Sequence, residues 1–245
     1  MSGTKLTRIL LSLLAVVGLI VMSATAVQAT STSIDVSEDT EITNWPNWID
    51  DARGELPESG CCAFGGNLRV SIDNFPNGAW NPPGSGYDSE VLMRWNDLSS
   101  IPAGDTITSV ILRMELQDGF ADAIDVNNIT LGSWTEAGTS WNDWVGQSTS
   151  DTPLGQLDPP DGAGAKDFSS ASLLSTVQGW HDGSLSNLGL ILKWAGPTTD
   201  GDSYASREHT TLAAPQLIIT HIPEPSTALL LLGGLGSLLI GRRSY

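Results

Sequence analysis

Apolar and polar residues alternate along several short runs of the chain. Leu68, Val70 and Ile72 alternate with Arg69 and Ser71, and Val91, Met93 and Trp95 with Leu92 and Arg94. Val110, Leu112, Met114 and Leu116 alternate with Ile111, Arg113 and Glu115. Leu190, Leu192 and Trp194 alternate with Ile191 and Lys193, and Leu217 and Ile219 flank Ile218. A period of two over short runs predicts half-buried antiparallel strands. Turns rich in Gly, Pro, Asn and Asp separate them, the pattern of an all-β sandwich. One stretch breaks the period. Leu173, Leu174, Val177 and Trp180 fall at helical spacing, with Ser172 as N-cap and Gly183 as stop, and predict a short helical turn across a sandwich end. Residues 146–167, with Asp151-Thr152-Pro153 and Asp158-Pro159-Pro160-Asp161-Gly162, read as one long loop.

The two ends carry a different pattern. Lys5 and Arg8 precede an apolar run from Ile9 to Met22, and small-x-small triplets follow at Ala24-Thr25-Ala26 and Val27-Gln28-Ala29. Residues 1–29 therefore read as a signal peptide, a short apolar helix cleaved after Ala29. At the other end Pro223-Glu224-Pro225 leads into an uncharged stretch of 17 residues from Pro225 to Gly241, closed by Arg242 and Arg243. That is the short end of the range for a transmembrane helix. The basic pair would stay on the cytoplasmic side and leave the body outside the inner membrane. The expected organisation is a signal peptide over 1–29, one domain over 30–222 and a membrane segment within 223–245.

Charge sharpens once the ends are set aside. The full 245 residues hold 11 Lys+Arg against 28 Asp+Glu, a formal net charge of -17. The body from 30 to 222 keeps seven basic residues and all the acids except Glu224, for a net charge near -20. Such acidity leaves nothing to neutralise a phosphate backbone, so nucleic acid is excluded as a partner. Long stretches rich in Ala, Glu, Lys, Leu and Arg are absent, which excludes a helical or doubly wound α/β enzyme.

The C-terminal tail resembles the PEP-CTERM sorting signal of exopolysaccharide-producing Gram-negative bacteria. Pro223-Glu224-Pro225, the apolar run Ala228–Ile240 and the Arg242-Arg243 pair fill its three parts in order. The resemblance implies export by the Sec translocon, a precursor held in the inner membrane, and processing by an exosortase-type membrane protease. The product would then reside at the cell surface or in the extracellular matrix.

The body resembles a second family. Met93-Arg94-Trp95-Asn96-Asp97-Leu98-Ser99 is followed by the turn and strand Ile101-Pro102-Ala103-Gly104-Asp105-Thr106-Ile107, which continues to Leu112. Then come the box Trp134-Thr135-Glu136-Ala137-Gly138-Thr139-Ser140-Trp141-Asn142 and Val177-Gln178-Gly179-Trp180-His181-Asp182-Gly183. Asn187-Leu188-Gly189-Leu190, Ser206-Arg207-Glu208 and Pro215-Gln216-Leu217 complete the order. Over roughly residues 64–221 this is similar to the DNRLRE-type domains, relatives of the family 96 carbohydrate-binding modules. The resemblance implies a jelly-roll-like antiparallel β-sandwich with an extracellular role. Some relatives bind polysaccharide, so an exopolysaccharide is the expected partner. Departures are the Asn96 insertion, Leu188 in place of the usual Tyr, and an added loop that holds Cys61-Cys62.

Candidate chemistry falls on loops. The chain has nine tryptophans, and indole faces stack on pyranose rings. Trp95, Trp180 and Trp194 sit at core phases, and Trp134 and Trp141 lie inside a family box where a structural corner is the simpler role. Trp45, Trp48, Trp80 and Trp144 remain, all in polar context, as a candidate sugar platform. Acidic loops suggest structural Ca²⁺, with Asp158, Asp161, Asp200 and Asp202 as candidates beside the Asp122/Asp125 and Asp50-Asp51 pairs, although no twelve-residue EF-hand pattern occurs. Adjacent Cys61 and Cys62 have Cα atoms about 3.8 Å apart, too close for an ordinary intrachain disulfide. A strained vicinal ring, a link to another chain, or free thiols stay open.

No catalytic residues are expected. His-Glu-x-x-His, Gly-x-Ser-x-Gly and phosphate-binding glycine motifs in a strand-to-helix context are missing. Glu136 and Glu208 invite comparison with a glycosidase pair, but hydrogen bonding to loop backbone or to Arg207 is simpler. The sequence thus predicts a non-catalytic binding module. The alternatives are a structural or adhesive matrix protein without a sugar site and, with least support, a glycan-cleaving enzyme.

Overall fold

The structure is a computed structural model that describes residues 28–43, 67–73, 87–118, 123–136, 138–139, 141–157, 162–195 and 201–224. The apolar run of the N-terminal segment, Trp45, Trp48, Cys61, Cys62, Trp80, Asp158, Asp161, Asp200, Pro225, Arg242 and Arg243 lie outside the described residues. Among the described residues, no helix is long and apolar enough to cross a membrane. The helix expected over 225–241 is not among them.

Strands dominate, and every described pairing is antiparallel. They are β1 (Thr30–Asp35), β2 (Glu38–Thr43), β3 (Asn67–Asp73), β4 (Tyr87–Arg94), β5 (Thr106–Asp118) and β6 (Ile124–Leu131). After helix α1 (Trp141–Gly146) come β7 (Ser150–Leu157) and β8 (Gly164–Phe168), then helix α2 (Ala171–Asp182). The last strands are β9 (Leu190–Trp194), β10 (Gly201–Ala205) and β11 (Gln216–Ile222). Hydrogen bonding runs in the order β1-β11-β5-β10-β3-β4-β9-β6-β7, with β2 on β4 and β8 on β5. This one path folds into two layers. β1, β11, β5 and β8 form one, and β2, β4, β9, β6 and β7 the other, with β10 and β3 passing between them.

The main core fills the space between the layers. Val110, Leu112, Met114 and Leu116 of β5 and Leu217 and Ile219 of β11 face Val91 and Met93 of β4, Leu190 and Leu192 of β9, and Val126 of β6. All of them but Val126 are residues that the period of two assigns to the inside. Trp95 is completely buried there, and its indole N–H donates to the Ile34 carbonyl at 3.1 Å.

The middle of the second layer, at β4 and β9, is buried on both faces. Leu92 and Ile191 point away from the main core and join Ile42, Ile129, Trp134 and Trp144 in a second cluster. A one-sided strand would expose them. The apolar triplets Val91-Leu92-Met93 and Leu190-Ile191-Leu192 are the sequence mark of two-sided burial. The cover over that face is the segment 132–147.

Two local expectations are corrected. Residues 146–167 are not one loop, since they contain β7 and β8. β7 lies at the end of the hydrogen-bonding path, where Pro153 removes a backbone donor without breaking a central ladder. The N-cap of α2 is Ser170 rather than Ser172, and its hydroxyl accepts from the Leu173 N–H at 2.9 Å. Gly183 ends the helix in the left-handed region at φ 75°, as its spacing predicts.

Candidate functional site

The strand β2 brings two acids to opposite faces of its layer. Glu38 pairs in register with Arg94, and Asp39 with Met93. Directly opposite residues share a face. Glu38 therefore joins Arg94 on the outer face, where the two form an ion pair. Asp39 shares the inner face with Met93 and is completely buried.

A turn after β10 meets Asp39 there. The backbone N–H of Arg207 donates to Asp39 Oδ2 at 2.8 Å, while Oδ1 has no hydrogen-bond partner. The turn is tied by Ser206, whose Oγ accepts from the Glu208 N–H at 3.2 Å and whose carbonyl accepts from the His209 N–H at 3.1 Å. Glu136 arrives from the covering segment. Its turn is held by the buried Thr139, whose hydroxyl accepts from the Thr135 N–H at 2.9 Å. The Arg207 guanidinium then donates to both Glu136 oxygens at 2.8 Å and pairs with Glu208 at 2.7 Å.

Three carboxylates thus converge. One oxygen each from Asp39, Glu136 and Glu208 lies within 4.8 Å of the others. Burial pushes the Asp39 carboxyl up to about 7; the Glu208 and Glu136 charges add to this, and the Arg207 N–H and guanidinium oppose it. Burial also raises Glu136 above the usual carboxylate range, with Glu208 adding and Arg207 opposing. Glu136 and Glu208 bond to Arg207 as the sequence suggests. Asp39 is the member that sequence reasoning misses. It lies 97 positions before Glu136, and only the strand register shows that it faces inward.

Beside Glu136, Ser133, Trp134, Thr135, Thr139, Asp143 and Gln147 line an open cleft of about 510 Å³. Its groups are largely committed. Gln147 accepts from the Ser133 N–H and donates to the Ser133 carbonyl, both at 2.9 Å. The Trp134 indole donates to the Leu188 carbonyl at 2.9 Å, and its ring lies under the Arg94 guanidinium at 4.7 Å. A second cleft of about 420 Å³ runs between Asn96, Ser99, His181 and Asn187.

The expected site residues scatter. Trp144 is not on a loop; it sits in α1, only 4% exposed, inside the second core cluster, and has no free face to stack on a sugar. Asp202 lies in β10 rather than a loop, fully buried, and the Tyr204 hydroxyl donates to its Oδ2 at 3.3 Å. Asp125 accepts from Gln156 at 2.9 Å. Trp95, Trp180 and Trp194 are core residues, Trp134 is a buried member of the second cluster, and Trp141 is half-buried against it. Ala29 is exposed immediately before β1, and Pro223 and Glu224 are exposed immediately after β11. His221 bonds Asp105 at 2.7 Å through Nδ1 and Thr32 at 3.2 Å through Nε2, which ties β1 and β11 to the turn before β5.

No protein-family model matches the chain, and no curated protein matches it.

Proposed function

We propose that this chain is an exported protein sorted to the surface or matrix of a Gram-negative bacterium, with a sandwich that is a non-catalytic binding module for extracellular polysaccharide. The observation that carries the sorting half is the ordered C-terminal triple of Pro223-Glu224-Pro225, an apolar run and Arg242-Arg243. The limits of the folded body support it. β1 begins one residue after Ala29, and β11 ends one residue before Pro223. Processing at either end would leave both terminal strands intact. Residues 30–222 are then a jelly-roll-like domain, and Trp45, Trp48 and Trp80 are its remaining sugar-platform residues.

A structural or adhesive matrix role without a sugar site is the second reading, and the burial of Trp144 favours it. A glycan-cleaving role is disfavoured, because Glu136 and Glu208 share one guanidinium instead of facing each other across an open bond-cleaving gap.

Replacing Pro223-Glu224-Pro225 with alanines is expected to trap an uncleaved, membrane-bound form. Unchanged release to the surface would overturn the sorting reading. Glycan-array binding that is lost in Trp45→Ala and Trp48→Ala variants supports the polysaccharide module. Surface adhesion without glycan binding, intact in both variants, moves the assignment to the second reading.

A further inference from the structure

We propose that Asp39, Glu136 and Glu208 bind a hard divalent cation, with Ca²⁺ as the preferred ion. Three segments that are remote in sequence bring one carboxylate oxygen each to within 4.8 Å of the others. Convergent acids alone are common on protein surfaces. What separates this group is Asp39, which is fully buried and keeps one oxygen, Oδ1, without a hydrogen-bond partner. A buried carboxylate needs a proton, a hydrogen-bond donor or a metal, and Oδ1 has no donor, which leaves Asp39 free to share a cation with the nearby Glu136 and Glu208 oxygens.

The charge balance fits. Three carboxylates face one guanidinium, that of Arg207. A divalent ion together with Arg207 brings the group to neutrality. The donor set is all oxygen, which selects Ca²⁺, Mg²⁺ or Mn²⁺ over zinc or copper. Ca²⁺, which takes six to eight oxygens in flexible geometry, suits a site assembled from three separate segments better than Mg²⁺, which demands a near-ideal octahedron. Water would complete the six to eight ligands. The ion would staple β2, the turn after β10 and the segment 132–147 at one end of the sandwich. This role is independent of the polysaccharide reading.

The test uses the full-length chain in detergent, stripped with EDTA and titrated with CaCl₂. Wild-type protein is expected to bind Ca²⁺ and to gain roughly 5 °C in Tm at calcium a hundredfold above Kd. Asp39→Asn and Glu136→Gln are each expected to abolish the Tm gain, while Asp125→Asn, outside the cluster, keeps it. Asp39→Asn retains the acceptor for the Arg207 N–H and removes a buried charge, so it is expected to fold; Glu136→Gln, on the half-exposed rim, is the independent check. A wild-type protein without a calcium-dependent Tm gain overturns the proposal. So does a gain that survives in both cluster variants, which would assign it to other acids.

Discussion

A Cβ placed on Gly189 would fall 2.2 Å from the carbonyl oxygen of Met93. Gly189 also adopts φ +95°, and its own carbonyl accepts from the Ile129 N–H at 3.0 Å. The chain therefore enters β9 pressed against the end of β4, in a conformation that favours glycine. Gly189→Ala adds a left-handed penalty to a clash with backbone that cannot rotate away. It is expected to cost about 3 kcal/mol or more in a urea melt. Gly183→Ala is the control. Gly183 has φ +75° but open space around its Cβ position, so only the conformational penalty of about 1 kcal/mol applies. Equal losses in the two variants would refute the close approach at Met93.

Arg94 joins the outer face of β2 to the covering segment. It pairs with Glu38, reaches the Trp134 carbonyl at 3.5 Å and lies 4.7 Å above the Trp134 ring. Its guanidinium is mostly buried, so truncation removes the ion-pair partner of Glu38, leaving it the Asn96 amide, and uncovers an indole face. Arg94→Ala is expected to lose about 2 kcal/mol of stability and to shift the tryptophan fluorescence to the red. Arg94→Lys keeps the charge but not the planar contact, and is expected to recover less than half of the loss. Full recovery by lysine would show that the ring contact contributes nothing.

The fold was more legible than the site, for a physical reason. Strands such as Val110–Leu116 declare themselves because one face is buried and the period is two. β7 and β8 hide because Pro153, Gly155 and the acids around them look like turn residues, while only Leu154 and Leu157 of β7 face the core. Trp144 hides differently. Its polar neighbours Asn142 and Asp143 suggest a loop, yet Leu92 and Ile191 need a cover, and the apolar triplets that hold them carry that information. The cluster at Asp39 was half visible, through Glu136, Arg207 and Glu208. Its third member needs the pairing of Asp39 with Met93, a fact of register rather than of local pattern.

Asp39 gives the metal-free protein a pH dependence of definite sign. Burial holds its folded-state carboxyl near 7, against 3.8 unperturbed. The folded state therefore binds the proton more tightly than the unfolded state. Stability from this group is greatest below about pH 4, falls as pH rises towards 7, and levels off above it. The total change is on the order of 4 kcal/mol. Asp167, held below the usual range by Arg113, acts in the opposite sense and only as pH falls below about 4. In EDTA, urea midpoints for wild type are expected to decline from pH 5 to 7, and Asp39→Asn is expected to flatten that decline. A slope unchanged in the variant would place the titration elsewhere.

Trp144 separates a binding role from a packing role in one experiment. The ring fills the second cluster with Trp134, Ile129, Leu92 and Ile191, and a Cβ on Gly132 would touch it at 3.1 Å. Truncation opens a cavity under the covering segment, and buried Trp→Ala changes typically cost about 3–5 kcal/mol. Trp144→Ala is therefore expected to lower the urea midpoint and to speed amide hydrogen exchange across 132–147, because that segment has lost its anchor. Glycan binding measured at a temperature where the variant stays folded is expected to match wild type. A variant with wild-type stability and reduced glycan binding would mean that the indole stands in contact with sugar instead of with Ile129 and Ile191.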